Sequence, residues 1–140
     1  MKQEDKQLLL KDLCRRLPYG VKVTTTNPAV KIGIISGISI KNKISVETKH
    51  ANIVFDCTEV KPYLRPMSSM TEEEKREIYN WLVENDVDWF DFSKLRLDEI
   101  LISFDSSWLL INWLNEHHFD YHGLIEKGLA LEASSEMYNQ

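Results

Sequence analysis

The chain has 140 residues, 43% hydrophobic and 28% charged, with a net charge of −5. This composition is typical of a folded domain and too apolar for a disordered chain. The longest apolar runs have four residues, far fewer than the ~20 needed to span a bilayer. The first sixteen residues lack the apolar core of a signal peptide. We therefore expect one compact domain, or two very small ones, in the cytoplasm.

The charges are unevenly distributed along the chain. Residues 1–66 contain 12 Lys and Arg against 6 Asp and Glu, a net of +6, whereas residues 67–140 contain 5 against 16, a net of −11. Such an asymmetry is typical of a nucleic-acid contact or of an acidic mimic of one. The favoured interpretation is that the two parts attract each other across an internal interface or are simply solvated. Either way, the change in composition suggests a boundary near Pro66.

Residues 4–17 predict a short amphipathic helix. Its apolar face consists of four leucines at helical spacing (Leu9, Leu10, Leu13 and Leu17). Pro18 and the glycine two residues later end it. The two cysteines, Cys14 and Cys57, form no CxxC motif, and we expect both to be reduced, buried thiols.

Residues 21–55 change from helical to alternating periodicity. Apolar side chains recur at every second residue, most clearly over residues 30–40, with short turn-like connections between the runs. The pattern predicts four short antiparallel strands. A flat meander of this size cannot bury both faces, so we expect a small curled, barrel-like sheet covered by the N-terminal helix.

The stretch that follows predicts a linker and then a capped helix. Residues 59–70 contain Pro62 and Pro66, which block any long helix, and they are the best linker candidate in the chain. Thr71 followed by Glu74 forms a capping box, in which each side chain bonds the backbone amide of the other residue. We predict a helix from there to about residue 84.

Residues 80–92 (NWLVENDVDWFDF) and 112–124 (NWLNEHHFDYHGL) form a possible internal repeat. Five positions are identical without gaps, and three more pair apolar or aromatic residues. Each copy predicts a helix, a corner plugged by an apolar residue, and an aspartate that caps the next short helix. These caps are Asp88 and Asp120, each contributing ~1 kcal/mol. Residues 67–140 therefore predict an all-helical unit built from two related modules.

The segment NEHHFDYH, residues 115–122, concentrates three of the four histidines. A structural zinc site requires four ligands with paired spacing. His118 and His122 are four apart, but the predicted corner separates them, and the first repeat replaces all three histidines. We therefore predict no metal and no cofactor site here. His117, His118 and His122 are better interpreted as a polar helix end that complements the helix dipole, with a pH-sensing role as the less favoured alternative.

No catalytic motif is recognisable. The stretch Gly33–Gly37 lacks the Gly-Lys-Ser/Thr ending of a phosphate loop, and no nucleophile elbow is present. The aspartates of residues 86–91 are crowded, but such side chains at helix ends are usually solvated caps. Because no nucleophile or base is placed beside an orienting partner, we predict no catalytic residues and a protein that is not an enzyme.

Two candidate binding surfaces remain. The first is a cationic surface on the predicted sheet, suited to nucleic acid, formed by Lys22, Lys31, Lys41, Lys43 and Lys49. The alternative is that these lysines keep the protein soluble and protect edge strands. The second is an aromatic patch for another protein, for which the candidates are Trp89, Phe90, Trp108 and Tyr121. Large aromatics anchor interfaces when they are exposed, although some must form the core of so small a unit.

The strings KPYLRPMSSMTEEE (61–74) and FDYHGLIEKGLALEA (119–133), with LLLKDLCRRLPYGVKV near the start, resemble a family of small uncharacterised proteins of gut bacteria. Members of that family are often encoded by prophages or other mobile elements. The resemblance is strongest from residue 61 onward. It implies a bacterial cytoplasmic protein with a possible phage link, and it implies no activity, ligand or catalytic residue.

Together these patterns predict an α+β protein. Residues 1–66 are expected to form a helix and a barrel-like antiparallel sheet of about four strands, and residues 67–140 a helical subdomain. The predicted function is that of a non-enzymatic interaction or accessory protein without a membrane segment. The alternative is a small nucleic-acid-associated protein that uses the basic sheet.

Overall fold

The computed structural model describes residues 1–39, 41–84 and 107–138. In chain order their helices and strands are α1 (Gln3–Arg16), β1 (Lys22–Thr25), β2 (Gly33–Ile38), β3 (Lys43–Glu47), β4 (Asn52–Asp56), β5 (Val60–Leu64), α2 (Glu72–Glu84), α3 (Ser107–Glu116) and β6 (Leu131–Glu132). Single 3-10 turns follow α1, β4 and β5 in the chain (Leu17–Tyr19, Cys57–Glu59 and Met67–Ser69). None of the helices in these ranges is long and apolar enough to cross a membrane.

Helix α1 covers one face of the sheet with the leucines that its periodicity predicts. Leu9 and Leu13 are fully buried, and Leu10 and Leu17 pack against them at the margin. The facing strands contribute alternate side chains to the same core (Val23, Ile35, Ile44, Val46, Phe55, Val60 and Leu64). Each fully buried leucine contributes about 2 kcal/mol through the apolar area removed from water.

The strands form one open, six-stranded sheet in the order β4-β3-β2-β1-β5-β6. The pairs from β4 to β5 are antiparallel, and β6 joins β5 in parallel. Strands β4 and β6 lie at opposite ends of this order. The prediction of a barrel-like antiparallel sheet of about four strands is therefore wrong. Because α1 covers the apolar face, the sheet does not need to close on itself to bury it.

The prediction of an all-helical unit after residue 66 is also wrong. Leu131 of β6 pairs with Tyr63 of β5, and Phe119 makes an isolated parallel bridge to Arg65. Residues 60–64 were expected to belong to a linker, yet they form β5, which lies between β1 and β6. Pro62 is buried within it. The division into subdomains at residue 66 stays a prediction, although one sheet includes strands from both sides.

Strand β2 departs from the uniform alternation of its sequence. Ile35 pairs with Val46, but Gly37 rather than Ser36 is the next residue to pair, so the strand contains a β-bulge. Because the extra residue reverses which parity faces the core, Ile35 before the bulge is buried and Ile38 after it also packs against the core, whereas Ile34 is 39% exposed. A Cβ atom at Gly33 would overlap Cγ1 of Val46. Close packing of β2 against β3 therefore requires glycine there.

Helix α2 begins with the predicted capping box. The Glu74 amide donates to Thr71 Oγ1 at 3.1 Å, and the Thr71 amide donates to Glu74 Oε1 at 3.1 Å. These bonds confirm the prediction and satisfy amides that the start of a helix leaves unpaired.

Helix α3 ends in a Schellman motif. The His118 amide donates to the carbonyl of Asn115, and the Phe119 amide donates to that of Leu114. His118 has φ +64°, a left-handed conformation that glycine usually occupies at this position. The turn directs residues 119–120 onto the end of β5, where the Arg65 amide donates to the His118 carbonyl at 2.8 Å.

Candidate binding cleft

A cleft of about 630 Å³ lies between the start of α2 and the segment that follows β6. One wall runs from Arg65 and Pro66 through Thr71 to Glu74, and His117 at the end of α3 also lines it. The opposite wall is formed by residues 132–135 together with Tyr138. We call this space the α2–β6 cleft. Its volume falls in the range of roughly 300–1,000 Å³ that is usual for ligand sites.

An ion pair fixes the α2 wall. Arg65 donates from Nη1 and Nη2 to the two carboxylate oxygens of Glu74, at 2.8 and 2.7 Å. Burial raises the pKa of Glu74, but the Arg65 guanidinium and the bonds from Thr71 outweigh burial and hold the pKa below its ordinary value. The guanidinium also lies over the ring of Phe119, 4.1 Å from its centroid. Because Arg65 is occupied by these contacts, its positive charge is already balanced within the wall.

His117 lines the cleft, and one nitrogen of its imidazole is bonded within α3. Its Nδ1 lies 2.9 Å from the carbonyl oxygen of Trp113, and its ring stacks on the Trp113 indole with centroids 3.9 Å apart. A carbonyl oxygen only accepts, so Nδ1 carries the proton. In the neutral ring Nε2 is then a hydrogen-bond acceptor. His117 therefore bonds a carbonyl in the last turn of α3, whereas its predicted interaction with the helix dipole stays a prediction.

His118 differs from its neighbour because it is buried, with only 8% of its surface exposed. Its ring stacks on Tyr138 with centroids 3.6 Å apart. Burial, together with the charges of Arg16, His117, Arg65 and Lys22, lowers the pKa of His118 from 6.5 to about 4. The imidazole of His118 is therefore not a solvent-exposed group at the helix end.

Tyr138 lines the back of the cleft, and its hydroxyl links two strands of the sheet. Its hydroxyl accepts a hydrogen bond from the Lys22 amide at 2.8 Å and donates one to the Tyr63 carbonyl at 2.7 Å. The hydroxyl therefore bridges β1 and β5 where the direct ladder stops. Burial raises the pKa of Tyr138 to about 12, so the phenol remains protonated and the bridge intact at physiological pH.

A buried polar array joins α1 to the segment after α3. Arg16 and Asp12 are fully buried and form a 2.6 Å ion pair one helical turn apart. Arg16 also donates to the carbonyl of Phe119 at 2.7 Å, and Nδ1 of His122 lies 2.8 Å from Oδ1 of Asp12. Burial raises the pKa of Asp12, but the bonds from His122 and Arg16 outweigh it and lower the pKa overall. The array fixes the position of residues 119–122.

Asp120 bonds backbone amides, as its predicted capping role requires, but in a different geometry. Its two carboxylate oxygens accept from the amides of Leu124 and Ile125, at 2.8 and 3.0 Å. These amides are four and five residues later, and the segment that they belong to consists of turns rather than a helix. Asp88, its counterpart in the first repeat, lies outside the described residues.

The five lysines of the predicted nucleic-acid surface do not lie together. Strands of five or six residues separate the two ends of the sheet by about 17–20 Å. Lys31 and Lys49 are exposed in loops at one end, whereas Lys41 and Lys43 are exposed at the other, where Lys43 pairs with Asp56. The Lys22 ammonium bonds the Met137 carbonyl and lies over the Tyr138 ring.

The predicted aromatic patch can be located only in part. Trp89, Phe90 and the side chain of Trp108 lie outside the described residues. Tyr121 is half-buried, its hydroxyl donates to Oδ1 of Asn115 at 2.9 Å, and its ring faces the Arg16 guanidinium. The contacts of Tyr121 are thus internal, and its role in an interface stays a prediction.

The cysteines and possible metal ligands can also be assigned. Both cysteines are free thiols; Cys57 is buried, but Cys14 is exposed, so the expectation that both are buried is wrong for Cys14. Within the described ranges, no three His, Cys, Asp or Glu side chains are grouped to hold a metal ion.

The cleft residues were not predicted as a site. Glu74 was identified only as a helix cap, and Arg65 and Tyr138 carried no recognised motif. The segments that meet at the cleft are separated by some seventy residues, and no local pattern signals their meeting. A single tyrosine near the end of the sequence is too common to be diagnostic.

Comparison with known proteins yields no relative. No family model matches the chain, and no match is found among curated proteins or solved structures. The resemblance to small proteins of gut bacteria therefore stays a prediction.

Proposed function

We propose that the protein is a non-enzymatic interaction or accessory protein of the bacterial cytoplasm, and that a partner protein docks in the α2–β6 cleft. The observation that carries this proposal is the cleft itself, whose walls are fixed by hydrogen bonds before any partner arrives. The Arg65–Glu74 pair, the His117–Trp113 bond and the Tyr138 bridge hold three of its sides. Such preorganisation reduces the entropy that binding would otherwise lose.

Three hydroxyl groups along the cleft, those of Ser69, Thr71 and Tyr138, stabilise the fold. Ser69 Oγ donates to the carbonyl of Pro66 at 2.6 Å, and the Tyr138 hydroxyl donates to that of Tyr63. Thr71 Oγ1 accepts the amide that starts α2. Each of these hydroxyls has a structural bond, whereas a nucleophile would donate to a base. The possible phage link of the protein remains part of the proposal and follows from the resemblance alone.

Site-specific photocrosslinking in the host cell tests the docking site. A photoreactive benzophenone residue replaces Ser134, an exposed residue of the cleft wall, or Lys41, an exposed residue in the turn between β2 and β3. We expect one discrete adduct from position 134 and none of the same mass from position 41. Adducts of the same mass from both positions, or none from position 134, would contradict docking in the cleft.

A further inference from the structure

We infer that β4 is the interface of a homodimer, in which its exposed edge pairs antiparallel with the β4 edge of a second copy of the chain. Strand β4 lies at the opposite end of the strand order from β6, and none of its residues lines the α2–β6 cleft. The inference therefore goes beyond the proposed function and concerns a second surface of the protein.

The main-chain groups of β4 alternate between bonding β3 and facing outward. The Thr48 amide donates to the Ala51 carbonyl at 2.9 Å, at the turn that joins the two strands. Bonded and non-bonded pairs alternate along an antiparallel ladder, and the register of β3 with β4 is unbroken. The odd-numbered residues of β4 therefore bond β3, and the amides and carbonyls of the even-numbered ones face away from it (Asn52, Val54 and Asp56). Within the described ranges, no main-chain hydrogen bond outside the β3–β4 ladder reaches these outward groups.

The edge of β4 lacks three features by which natural proteins prevent strand pairing, namely lysine, proline and a bulge. The strand is five residues long, and Val54 at its centre is 63% exposed. By contrast, β6 at the other end of the sheet has only two residues, and short edge strands pair poorly. A regular, exposed edge such as that of β4 is a template for another strand.

The sequence of β4 is complementary to itself in the antiparallel direction. A two-fold axis at Val54 places this side chain opposite Val54 of the second copy, and it places each Asn52 opposite an Asp56. Each of these pairs can exchange two main-chain hydrogen bonds. Oδ1 of Asn52 lies 3.2 Å from Ser36 Oγ of its own chain, which leaves the amide nitrogen to donate to the facing carboxylate. The apolar centre and the complementary polar ends favour a second copy over an unrelated strand, because the same groups serve both partners.

Sedimentation equilibrium of the full chain tests the inference. A single five-residue edge buries less area than a standard interface. We therefore expect a dissociation constant of about 10–100 µM, measured at chain concentrations of about 1 to 300 µM. The mean mass should rise from 16.4 kDa towards twice that value. The amides of Val54 and Asp56 should exchange hydrogen more slowly at the higher concentrations, because pairing protects them.

Three lysine variants add the same charge at different places and should behave differently. Val54→Lys puts two ammonium groups opposite each other at the two-fold axis, and we expect it to weaken dimerisation about tenfold or more. Asn52→Lys puts each ammonium group opposite an Asp56 carboxylate and should strengthen dimerisation about threefold. Ile32→Lys, the matched control, changes a residue that is 50% exposed and lies outside β4, and it should change dimerisation by less than about twofold.

Two results would overturn the homodimer. A mass of 16.4 kDa at every concentration would exclude self-pairing and leave the β4 edge to a strand of another protein. An equal response to all three variants would place the contact elsewhere. Circular dichroism verifies that each variant is folded, and the strengthening by Asn52→Lys cannot arise from partial unfolding. Neither result affects the crosslink from position 134, which tests the cleft separately.

Discussion

Protonation of His118 should destabilise the protein between pH 6.5 and pH 4. The pKa of this buried imidazole is lowered from 6.5 to about 4 in the folded chain, whereas the unfolded chain has the ordinary value. Between those values the unfolded state binds more protons, so stability falls as the pH falls. Below pH 4 the folded state also takes up the proton, and the loss levels off. The buried ring sits beside Arg16, His117, Arg65 and Lys22, all of which oppose its protonation.

The magnitude follows from the separation of the two pKa values. Linkage between a folded-state pKa of about 4 and an unfolded-state pKa of 6.5 gives a loss of about 2 kcal/mol at pH 5 and about 3 kcal/mol at pH 4. Relative to a total stability of about 5–15 kcal/mol for a domain of this kind, the effect is measurable.

Urea unfolding at pH 7.5 and pH 5.0 measures the effect in wild type, His118→Asn and His50→Asn. Asparagine tolerates the left-handed backbone of residue 118, and the lost stacking on Tyr138 costs the same at both pH values. On acidification, we expect the free energy of unfolding of wild type to fall by about 2 kcal/mol more than that of His118→Asn. His50 is exposed, so His50→Asn should follow wild type. An equal pH response in wild type and His118→Asn would refute the reasoning.

Three further predictions concern the sheet. Gly33→Ala should lower the free energy of unfolding by about 1–3 kcal/mol, because its methyl group overlaps Val46. Gly37→Ala, whose new carbon would be 3.8 Å from Ser45 Cβ, should change it by no more than about 0.5 kcal/mol. Similar unfolding midpoints for the two variants would count against close packing at Gly33. Tyr138→Phe should lower the free energy of unfolding by about 2 kcal/mol and speed hydrogen exchange of the Lys22 amide. Tyr79→Phe, at a site 39% exposed, should do neither. An unchanged exchange rate in Tyr138→Phe would exclude the bridge. Binding of single-stranded DNA should show a slope of log affinity against log salt no steeper than about −1.4, because each end of the sheet offers two exposed lysines; a slope near −3.5 would require all five to act together.

Local patterns predicted the elements that local interactions determine. The leucine spacing of α1, the alternation of β1 to β4 and the capping box of α2 all depend on residues a few positions apart. The bulge in β2 escaped prediction because a single extra residue leaves the sequence pattern intact and changes only the pairing. Ile35 and Ile38, three residues apart, consequently both pack in the core.

The strand order of the sheet and the walls of the cleft depend on contacts that no local pattern contains. Residues 60–64 carry a proline, so they were assigned to a linker, but tertiary pairing with β1 determines their conformation. β6 has only two residues, too few for a period to be recognised. His118 adopts a conformation typical of glycine because its ring packs on Tyr138, twenty residues later. The site therefore emerges from pairings across the chain.

The bridge made by Tyr138 has a consequence for the order in which the protein folds. Its hydroxyl joins Lys22 and Tyr63, which lie 116 and 75 positions earlier. During synthesis β1 and β5 emerge long before residue 138. The Lys22 amide and the Tyr63 carbonyl therefore remain hydrated until the Tyr138 hydroxyl can bond them. Completion of the cleft is accordingly a late event in folding, because it requires Tyr138.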